Sequence, residues 1–298
     1  MSEPYFKVFL RSRFTISPKE PPSGLSLDGQ TGIITGSNSG IGLEAARMLL
    51  DHKLSRLIMA VRSQGRGEDA ANTLRRSYPT ARVDVWSLDM LSYDSIRAFA
   101  RRCTSDLDRI DFAILNAGAM YPEFTINPST GHEEAFQVNY LSTALLSILM
   151  LPVMRQRRPK DHAGHLCITT SALGYTATFQ NRNADPLIPS FDIKPEKWGI
   201  ADLSERYAVA KLLGQLLMVK LKDCVSSDDV IVNLVEPGYI RGTGLARHMP
   251  TLLKPIGVLM GLLIGRSVRA GALTYIDAAV VQGVESHGSY LWNWSIAP

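Results

Sequence analysis

Cysteine is scarce in this sequence: three occur among 298 residues, and no two of them form a Cys-x-x-Cys pair. Because three cysteines so far apart do not make a disulfide framework, Cys103, Cys167 and Cys224 are expected to be reduced thiols. A secretory signal is also lacking, since basic residues interrupt the apolar ones in the N-terminal stretch MSEPYFKVFLRSRF. Both absences favour a cytoplasmic protein, and no metal site is expected.

Long apolar runs are lacking as well. The longest stretch, PIGVLMGLLIG at 255–265, is shorter than the roughly 20 residues of a transmembrane helix. No transmembrane segment is therefore expected, although this stretch could touch a membrane surface or close over an apolar ligand.

Charge of either sign is moderate, with 20% charged residues and a net charge of +4. The basic residues cluster in Arg101-Arg102 and in RQRRPK at 155–160. Neither cluster is interleaved with the aromatic side chains on which single-stranded bases stack. Each is interpreted as a solvated helix end, and no nucleic-acid partner is expected.

What the sequence does contain is a regular alternation of strand-like and helix-like segments. Apolar strands are predicted at 31–35, 56–61, 82–88, 111–117, 165–171, 230–238 and 288–292. Helices are predicted between them, at 41–53, from the second strand to 76, and at 92–103, 131–155, 203–222 and 267–280. Strands separated by helices indicate βαβ units. The predicted fold class is α/β, a doubly wound Rossmann fold with a central parallel seven-stranded sheet.

The domain organisation follows from the same pattern. No internal repeat or linker divides the alternation, so one domain is predicted over 29–298. Residues 1–28 are rich in proline and serine and are interpreted as an N-terminal arm leading into it.

A glycine-rich turn, TGSNSGIG from Thr35 to Gly42, connects the first strand to the first helix of the domain. Glycines at 36, 40 and 42 would let the backbone turn tightly and approach a pyrophosphate. The helix that follows would supply amide donors and the positive end of its dipole. The turn therefore predicts a dinucleotide site.

The stretch SERYAVAKLLGQLLMVK places Tyr207 four residues before Lys211 on an apolar helix. At this spacing the two side chains are neighbours, and a lysine beside a phenol is expected to lower the phenol pKa. The pair could move a proton to or from a carbonyl or hydroxyl oxygen. From these residues alone, an alternative is that both side chains simply snorkel from an amphipathic helix.

Several motifs in this order resemble those of the short-chain dehydrogenase/reductase family. They are TGSNSGIG, LNAG at 115–118, VNY around Asn139, Ser171 at the end of a strand, YAVAK at 207–211 and PG at 237–238. The resemblance extends from about residue 29 to the end, and among the family's branches it is greatest to the fungal, retinol-dehydrogenase-like reductases. Many of those reductases act on lipophilic or secondary metabolites.

The resemblance implies a role for four residues in catalysis. Tyr207 would be the general acid/base, and Lys211 would lower its pKa and hold the nicotinamide ribose. Ser171 would hydrogen-bond the reacting oxygen, and Asn139 would order a water relay behind Lys211. A catalytic acid works best with a pKa near the working pH, so the Tyr–Lys spacing is consistent with these roles.

The cofactor is predicted from the end of the second strand. An acid there would bind the ribose hydroxyl of NAD, whereas an arginine accommodates the phosphate of NADP. In MAVRSQGRG, Arg62 occupies this position and the first carboxylate is Glu68, so NADP is favoured. The other cofactor-binding positions, mostly implied by the resemblance, are Gly36, Ser37, Ser39, Gly40, Ile41, Gly42, Asp89, Met90, Asn116, Ala117, Gly118, Tyr207, Lys211, Pro237, Gly238, Ile240 and Thr243.

The sequence departs from the family pattern in three places. The excursion 179–199, rich in Pro, Asn and Asp, lengthens the chain between Ser171 and Tyr207 and is predicted to be ordered over the site. Thr243 lies one position later than the family's usual threonine, which puts its contact with the nicotinamide carboxamide in doubt. The apolar residues of about 245–266 are interpreted as a lid over a hydrophobic substrate, with core packing or an interface as alternatives.

The predicted function is an NADP-dependent oxidoreductase that interconverts a ketone or aldehyde and an alcohol on a lipophilic small molecule. A redox-neutral isomerase or cyclase with the same pocket is the alternative within enzymes, and a cofactor-sensing binding protein is the alternative outside them. Because the helices at 131–155 and 203–222 have broad apolar faces, a homodimer or homotetramer is expected.

Overall fold

The computed structural model describes residues 5–242, 259 and 261–297, and a single sheet organises them. The helices are α1 (Tyr5–Thr15), α2 (Gly40–Asp51), α3 (Gln64–Ser77), α4 (Tyr93–Asp106), α5 (Glu134–Arg157), α6 (Ile200–Leu221) and α7 (Val268–Ile276). The strands are β1 (Thr31–Thr35), β2 (Arg56–Val61), β3 (Arg82–Ser87), β4 (Phe112–Leu115), β5 (Gly164–Thr169), β6 (Val230–Glu236), β7 (Tyr290–Trp292) and β8 (Ser295–Ile296).

The strand order in the sheet is β3-β2-β1-β4-β5-β6-β7-β8. The first seven strands are parallel, and β8 is a short antiparallel addition to β7. The predicted doubly wound parallel sheet is confirmed, with eight strands instead of seven. The order reverses between β1 and β4, and ligands of such sheets bind at this crevice, beyond the carboxyl ends of the strands.

Two apolar layers cover the sheet, because successive strand residues point to opposite faces. In β1, Ile33 belongs to the layer that also contains Trp86, Leu146 and Met218, on the side of α4, α5 and α6. The next residue, Ile34, belongs to the opposite layer, on the side of α2 and α7. Both faces are therefore buried, which explains the nearly continuous apolar sequence of the central strands.

Within the residues that the structure describes, one helix, α5, is long and apolar enough to cross a membrane by length and composition. However, 56% of its most apolar window is buried inside the protein. Its residues Leu146, Met150 and Met154 are part of the core beneath the sheet. Packing against the sheet therefore explains its apolar sequence.

The N-terminal arm contains a helix, α1, that the sequence analysis did not predict. Ser12 Oγ donates a hydrogen bond of 2.7 Å to Asn293 Oδ1, between β7 and β8. Arg13 Nε donates to the carbonyl of Ile264 at 3.0 Å. The helix is thus attached to the C-terminal part of the chain, and no local periodicity reveals such a contact.

Candidate active site

Tyr207 and Lys211 lie one turn apart on α6, and both are buried. Lys211 Nζ is 5.7 Å from the centre of the Tyr207 ring. The ammonium donates a hydrogen bond of 2.9 Å to the carbonyl of Thr169, the last residue of β5. The snorkelling alternative is therefore wrong, because the polar end of Lys211 is bound at the carboxyl end of the sheet and not in solvent.

Ser171 joins this pair from the loop that follows β5. It is the N-cap of the 3-10 turn Ala172–Thr176, and its side chain lies close enough to the Tyr207 hydroxyl to favour the phenolate. Gln215, one turn after Lys211 on α6, donates from Nε2 to the Ser171 carbonyl at 3.0 Å and fixes the loop. The structure thus brings together Ser171, Tyr207 and Lys211.

The pKa of Tyr207 is raised above that of a free phenol. Burial disfavours the phenolate, and the negative charge of Glu236 adds to this effect, while the hydrogen bond from Ser171 opposes it. The sequence pattern predicted a lowered pKa, and that prediction is wrong. The Lys211 ammonium is directed to the Thr169 carbonyl, and burial lowers the pKa of Lys211 itself to about 8.

Asn139 lies in a π-turn of α5, Gln137–Leu141, and is buried. Its Nδ2 donates to the carbonyls of Ala119 at 2.6 Å and Ala135 at 2.8 Å, and its Oδ1 accepts from the Ala119 amide at 3.2 Å. The side chain is therefore used to hold the loop after β4 against α5.

The glycine-rich turn has the geometry of a phosphate cradle. Gly36 and Gly40 have φ values of 67° and 59°, a conformation that favours glycine. A Cβ on Gly42 would lie 2.6 Å from Asn116 Nδ2, so the turn packs too closely for a larger residue. Ser39 is the N-cap of α2 and makes no capping hydrogen bond with its side chain, which leaves the hydroxyl available at the helix N-terminus.

The Ser37 side chain, in contrast, is turned away from the cradle. It is fully buried, and its Oγ donates to the carbonyl of Ile34 at 3.0 Å. Because this side chain closes the turn from inside, a cofactor could contact Ser37 only through its main chain. Ile41 and Ile240 both pack against Gly271 of α7, so they form an apolar contact between the turn and the segment after β6.

Asn116 was predicted to line the adenine-ribose side, but its side chain holds the glycine-rich turn instead. Nδ2 donates to the carbonyl of Thr35 at 2.8 Å, and Oδ1 accepts from the Tyr275 hydroxyl at 2.9 Å. The amide of Ala117 donates to Thr35 Oγ1 at 2.9 Å. These bonds connect β1, β4 and α7 beneath the site.

Arg62 follows the end of β2, as predicted, and is exposed, and its charge favours the phenolate form of the nearby Tyr121. The nearest acid in sequence, Glu68, accepts a hydrogen bond of 2.7 Å from Arg75 on the same helix. This pairing occupies the Glu68 carboxylate away from the position where a ribose acid would act.

The loop after β3 is held by its own hydrogen bonds. Asp89 Oδ1 accepts from the Leu91 amide at 3.0 Å, and the Met90 carbonyl accepts from Ser142 Oγ at 2.5 Å. The Met90 side chain is part of the core. A ligand at this loop could therefore contact the Met90 main chain and the second oxygen of Asp89, but not the Met90 side chain.

The loops after β4 and β6 complete the site at the carboxyl ends of the strands. Gly118 lies against Asn139, where a Cβ would be 3.1 Å from Oδ1. After Pro237, Gly238 has a φ of 90° and Ile240 forms an isolated bridge to Arg266. Thr243 and most of the predicted lid at 245–266 lie outside the described residues.

Comparison with known proteins identifies the family. The model of the short chain dehydrogenase family matches residues 30–182. The short chain dehydrogenase/reductase mfmJ of Annulohypoxylon moriforme is 47% identical over 296 residues, which are 99% of this chain and 85% of that protein. The short chain dehydrogenase virL of Hypocrea virens is 42% identical, over 97% of this chain and 83% of that protein. The chain belongs to the short-chain dehydrogenase/reductase family.

Solved structures of the family share the fold at lower identity. L-sorbose reductase from Gluconobacter frateurii, complexed with NADPH and L-sorbose, has a TM-score of 0.66 and 21% identity, over 90% of this chain and 96% of that chain. The RhlG/NADP active-site complex of Pseudomonas aeruginosa has a TM-score of 0.64 and 22% identity, over 90% of this chain and 95% of that chain. These similarities show that the chain shares the doubly wound fold of these solved structures.

The excursion 179–199 is ordered by contacts with the first turn of α5, with the residues just before it and with the loop after β4. Phe191 is buried and stacks on Phe136, with ring centres 4.0 Å apart. Asp192 accepts hydrogen bonds from His132 Nδ1 at 2.9 Å and from the Glu133 amide at 2.8 Å. Trp198 Nε1 donates to the carbonyl of Pro122 at 2.8 Å. The excursion therefore joins the loop after β4 to the start of α6, which carries Tyr207.

Glu236 is the residue near the site that sequence reasoning missed. It ends β6, is 6% exposed and accepts a hydrogen bond of 2.8 Å from the amide of Ala172, next to Ser171. The stretch VIVNLVEPG could have pointed to Glu236, because an acidic residue ends an otherwise largely apolar strand directly before Pro237.

Proposed function

We propose that this protein is an NADP-dependent oxidoreductase that interconverts a ketone or aldehyde and an alcohol. The observation that carries the proposal is that Tyr207, Ser171 and Lys211 come together at the carboxyl ends of the strands. The glycine-rich turn lies at the same end of the sheet, beside the switch point where the strand order reverses. Dinucleotides bind at such a switch point. Membership of the short-chain dehydrogenase/reductase family is consistent with the same chemistry.

Tyr207 is the proton donor in this proposal. Its raised pKa keeps the phenol protonated at neutral pH, so a carbonyl oxygen at the site would meet a hydroxyl that can give up a proton. Ser171, whose side chain lies beside Tyr207, would turn its single O–H to the same oxygen and hold it in place with a hydrogen bond. As negative charge develops on that oxygen, the nearby Lys211 ammonium favours the transfer.

The residues present fit NADP. The first turn of α2 and the free Ser39 hydroxyl are suited to the diphosphate, and Lys211 to the nicotinamide ribose. Arg62 would bind the 2′-phosphate through charge-assisted hydrogen bonds, and Glu68, paired with Arg75, offers no competing carboxylate. The cofactor would supply or accept the hydride.

The substrate class is a lipophilic small molecule, such as a secondary metabolite. Tyr175, in the turn that follows Ser171, is 44% exposed, and Tyr239, next to Gly238, is 42% exposed. Exposed aromatic side chains beside a catalytic group favour an apolar ligand over a small polar one. Trp198 of the excursion also packs edge to face on Phe124, with ring centres 5.2 Å apart, which adds an aromatic contact between the excursion and the loop after β4.

Two other functions remain as alternatives, each with a different expectation. A redox-neutral isomerase or cyclase would use Tyr207 and the same pocket without consuming NADPH. A cofactor-sensing protein would bind NADPH without turnover, but such a protein has no need of Ser171, Tyr207 and Lys211 grouped at one site.

The test is the loss of NADPH absorbance in the presence of a panel of apolar ketones and aldehydes. Wild-type protein should consume NADPH with at least some of the panel, and Tyr207→Phe should not. NADPH binding without consumption, together with conversion of a substrate into an isomer, would favour the redox-neutral enzyme. Binding with no conversion of any kind would favour the sensor.

A further inference from the structure

Glu236 connects the two loops that border the site. Its Oε2 accepts a hydrogen bond of 2.8 Å from the Ala172 amide, and the carboxylate also accepts from the Gly238 amide. Ala172 follows Ser171, and Gly238 belongs to the loop after β6. A side chain that binds both amides fixes the distance between the Ser171 loop and the loop after β6.

The same carboxylate is the partner charge of Lys211. Within the described residues, Glu236 is the one charged group that acts on the Lys211 ammonium, and it favours the protonated form. The ammonium itself donates to the neutral carbonyl of Thr169, which lies in the adjacent strand beside Val235, the residue before Glu236. A buried ammonium without a counter-charge is costly, and the charge of Glu236 opposes the effect of burial on Lys211.

The titratable groups that interact with Glu236 lie on α6 and α7, in the segment before α7 and in the turn after Ser171. Lys211 and Tyr207 face it from α6, and Arg266 faces it from the segment before α7. Arg266 Nη2 is bound by neutral groups, the Ser12 carbonyl at 2.9 Å and Asn293 Oδ1 at 2.8 Å. The phenols affected by Glu236, apart from Tyr207, are Tyr175 in the turn after Ser171 and Tyr275 on α7. The charge of Arg13, on α1, acts on Arg266.

We propose that Glu236 is a positioning residue of the active site, which holds the Ser171 loop and supplies the counter-charge that keeps Lys211 protonated. The part of this role that concerns cofactor binding by Lys211 rests on the proposed function. The charge coupling itself is a property of the folded chain.

The coupling defines a pH window. Burial raises the pKa of Glu236 to about 7, and burial lowers the pKa of Lys211 to about 8. Between these values both groups are charged. Below about 7 the carboxylate takes up a proton and the counter-charge is lost, and above about 8 the ammonium loses its proton.

Glu236→Gln and Glu236→Asp separate the two parts of the role. The glutamine keeps an acceptor for the Ala172 amide but removes the charge. The aspartate keeps the charge but is too short to reach both amides. Asp228→Asn is the matched control, because Asp228 is an exposed carboxylate near the opposite end of the same strand.

The first measurement uses thermal unfolding without cofactor, at a series of neutral to alkaline pH values. A lysine whose folded pKa is depressed makes stability rise with pH above that pKa, since the unfolded state then binds more protons. In Glu236→Gln this rise should begin on the order of one pH unit lower than in wild type. Glu236→Asp and Asp228→Asn should keep the wild-type onset.

The second measurement is the pH dependence of NADPH affinity. The alkaline loss of affinity, which follows deprotonation of Lys211, should move to lower pH in Glu236→Gln by the same amount as the unfolding onset. The same onset in Glu236→Gln and wild type in thermal unfolding would overturn the counter-charge role. A shifted unfolding onset without NADPH binding in wild type would support the coupling and contradict the proposed function.

Discussion

The hydroxyl of Tyr275 donates a hydrogen bond of 2.9 Å to Asn116 Oδ1, although the two residues are 159 positions apart in the chain. Asn116 Nδ2 in turn donates to the Thr35 carbonyl at 2.8 Å. Two consecutive hydrogen bonds therefore connect α7 to the start of the glycine-rich turn. The shape of the proposed phosphate cradle depends on a helix close to the end of the sequence.

Replacing Tyr275 by phenylalanine tests this connection. The change leaves a buried amide oxygen without its donor, and such a loss costs about 1–3 kcal/mol of unfolding free energy. We also expect weaker NADPH binding, because Asn116 would hold the turn less firmly. Denaturant unfolding and a cofactor titration measure the two effects. Tyr78→Phe, on a tyrosine bound to Asp51 away from the site, is the control. Unchanged stability in Tyr275→Phe would contradict the role of this bond.

The sheet was predictable from the sequence because its strands are buried on both faces. Apolar segments such as RLIMAV and VIVNLVE need no long-range information, and their spacing by helices implies the parallel order. The helix α1 and the strand β8 were missed. Their positions depend on Ser12, Arg266 and Asn293, which lie far apart in the chain.

The site was predictable in its positions but less so in its electrostatics. Motif spacing located Ser171, Tyr207 and Lys211, which the structure brings together. The direction of the Tyr207 pKa shift could not be read from spacing, because it depends on burial and on Glu236 from another strand. Likewise, Ser37 and Asn116 are turned toward structural partners that a linear motif does not specify.

Tyr207→Phe is expected to reduce turnover by on the order of 10²–10⁴, since it removes the positioned general acid and keeps the ring. NADPH affinity should stay close to that of wild type, because the Lys211 hydrogen bond to Thr169 does not involve the phenol oxygen. Steady-state kinetics and a cofactor titration on the same preparation provide the comparison. Turnover near the wild-type rate would rule out Tyr207 as the proton donor.

Arg62→Ala is expected to weaken NADPH binding much more than NADH binding. Only NADPH carries the 2′-phosphate, and a charge-assisted hydrogen bond to it is lost in the variant. Arg101→Ala, which removes an exposed arginine from α4, is the control for the change in net charge. If both cofactors bind equally less well to Arg62→Ala, another residue recognises the phosphate.

Self-association is expected through α5 and α6, which lie on the same side of the sheet. Three of their large apolar side chains are more than half exposed, namely Ile148, Leu216 and Val219. Aspartate at both 148 and 219 should convert a dimer or tetramer into monomers without loss of fold, because neither side chain is in the core. Sedimentation velocity measures the change, with Ile193→Asp as an exposed control elsewhere. A wild-type protein that is monomeric at micromolar concentration would contradict the prediction.

Substrate affinity is expected to follow apolar area. Each Å² of apolar ligand surface removed from water contributes about 25 cal/mol, so KM should rise steadily as apolar groups are trimmed from a series of ketones of equal reactivity. A KM that does not change across the series would mean that the site stays open to solvent.

Two variants locate the surface that buries the ligand. Trp198→Ala removes the ring that packs on Phe124 and the hydrogen bond to Pro122, so it should loosen the excursion 179–199 and raise KM most for the largest ketones. The double variant Leu253→Ser with Ile256→Ser tests the predicted lid at two positions that lie outside the described part of the chain. NADPH affinity should be unchanged in both, because neither change affects the glycine-rich turn.

If Trp198→Ala raises KM and the double variant does not, the excursion rather than the lid encloses the substrate. If neither raises KM, the apolar contacts come from other residues, such as the exposed Tyr175 and Tyr239 beside the catalytic group.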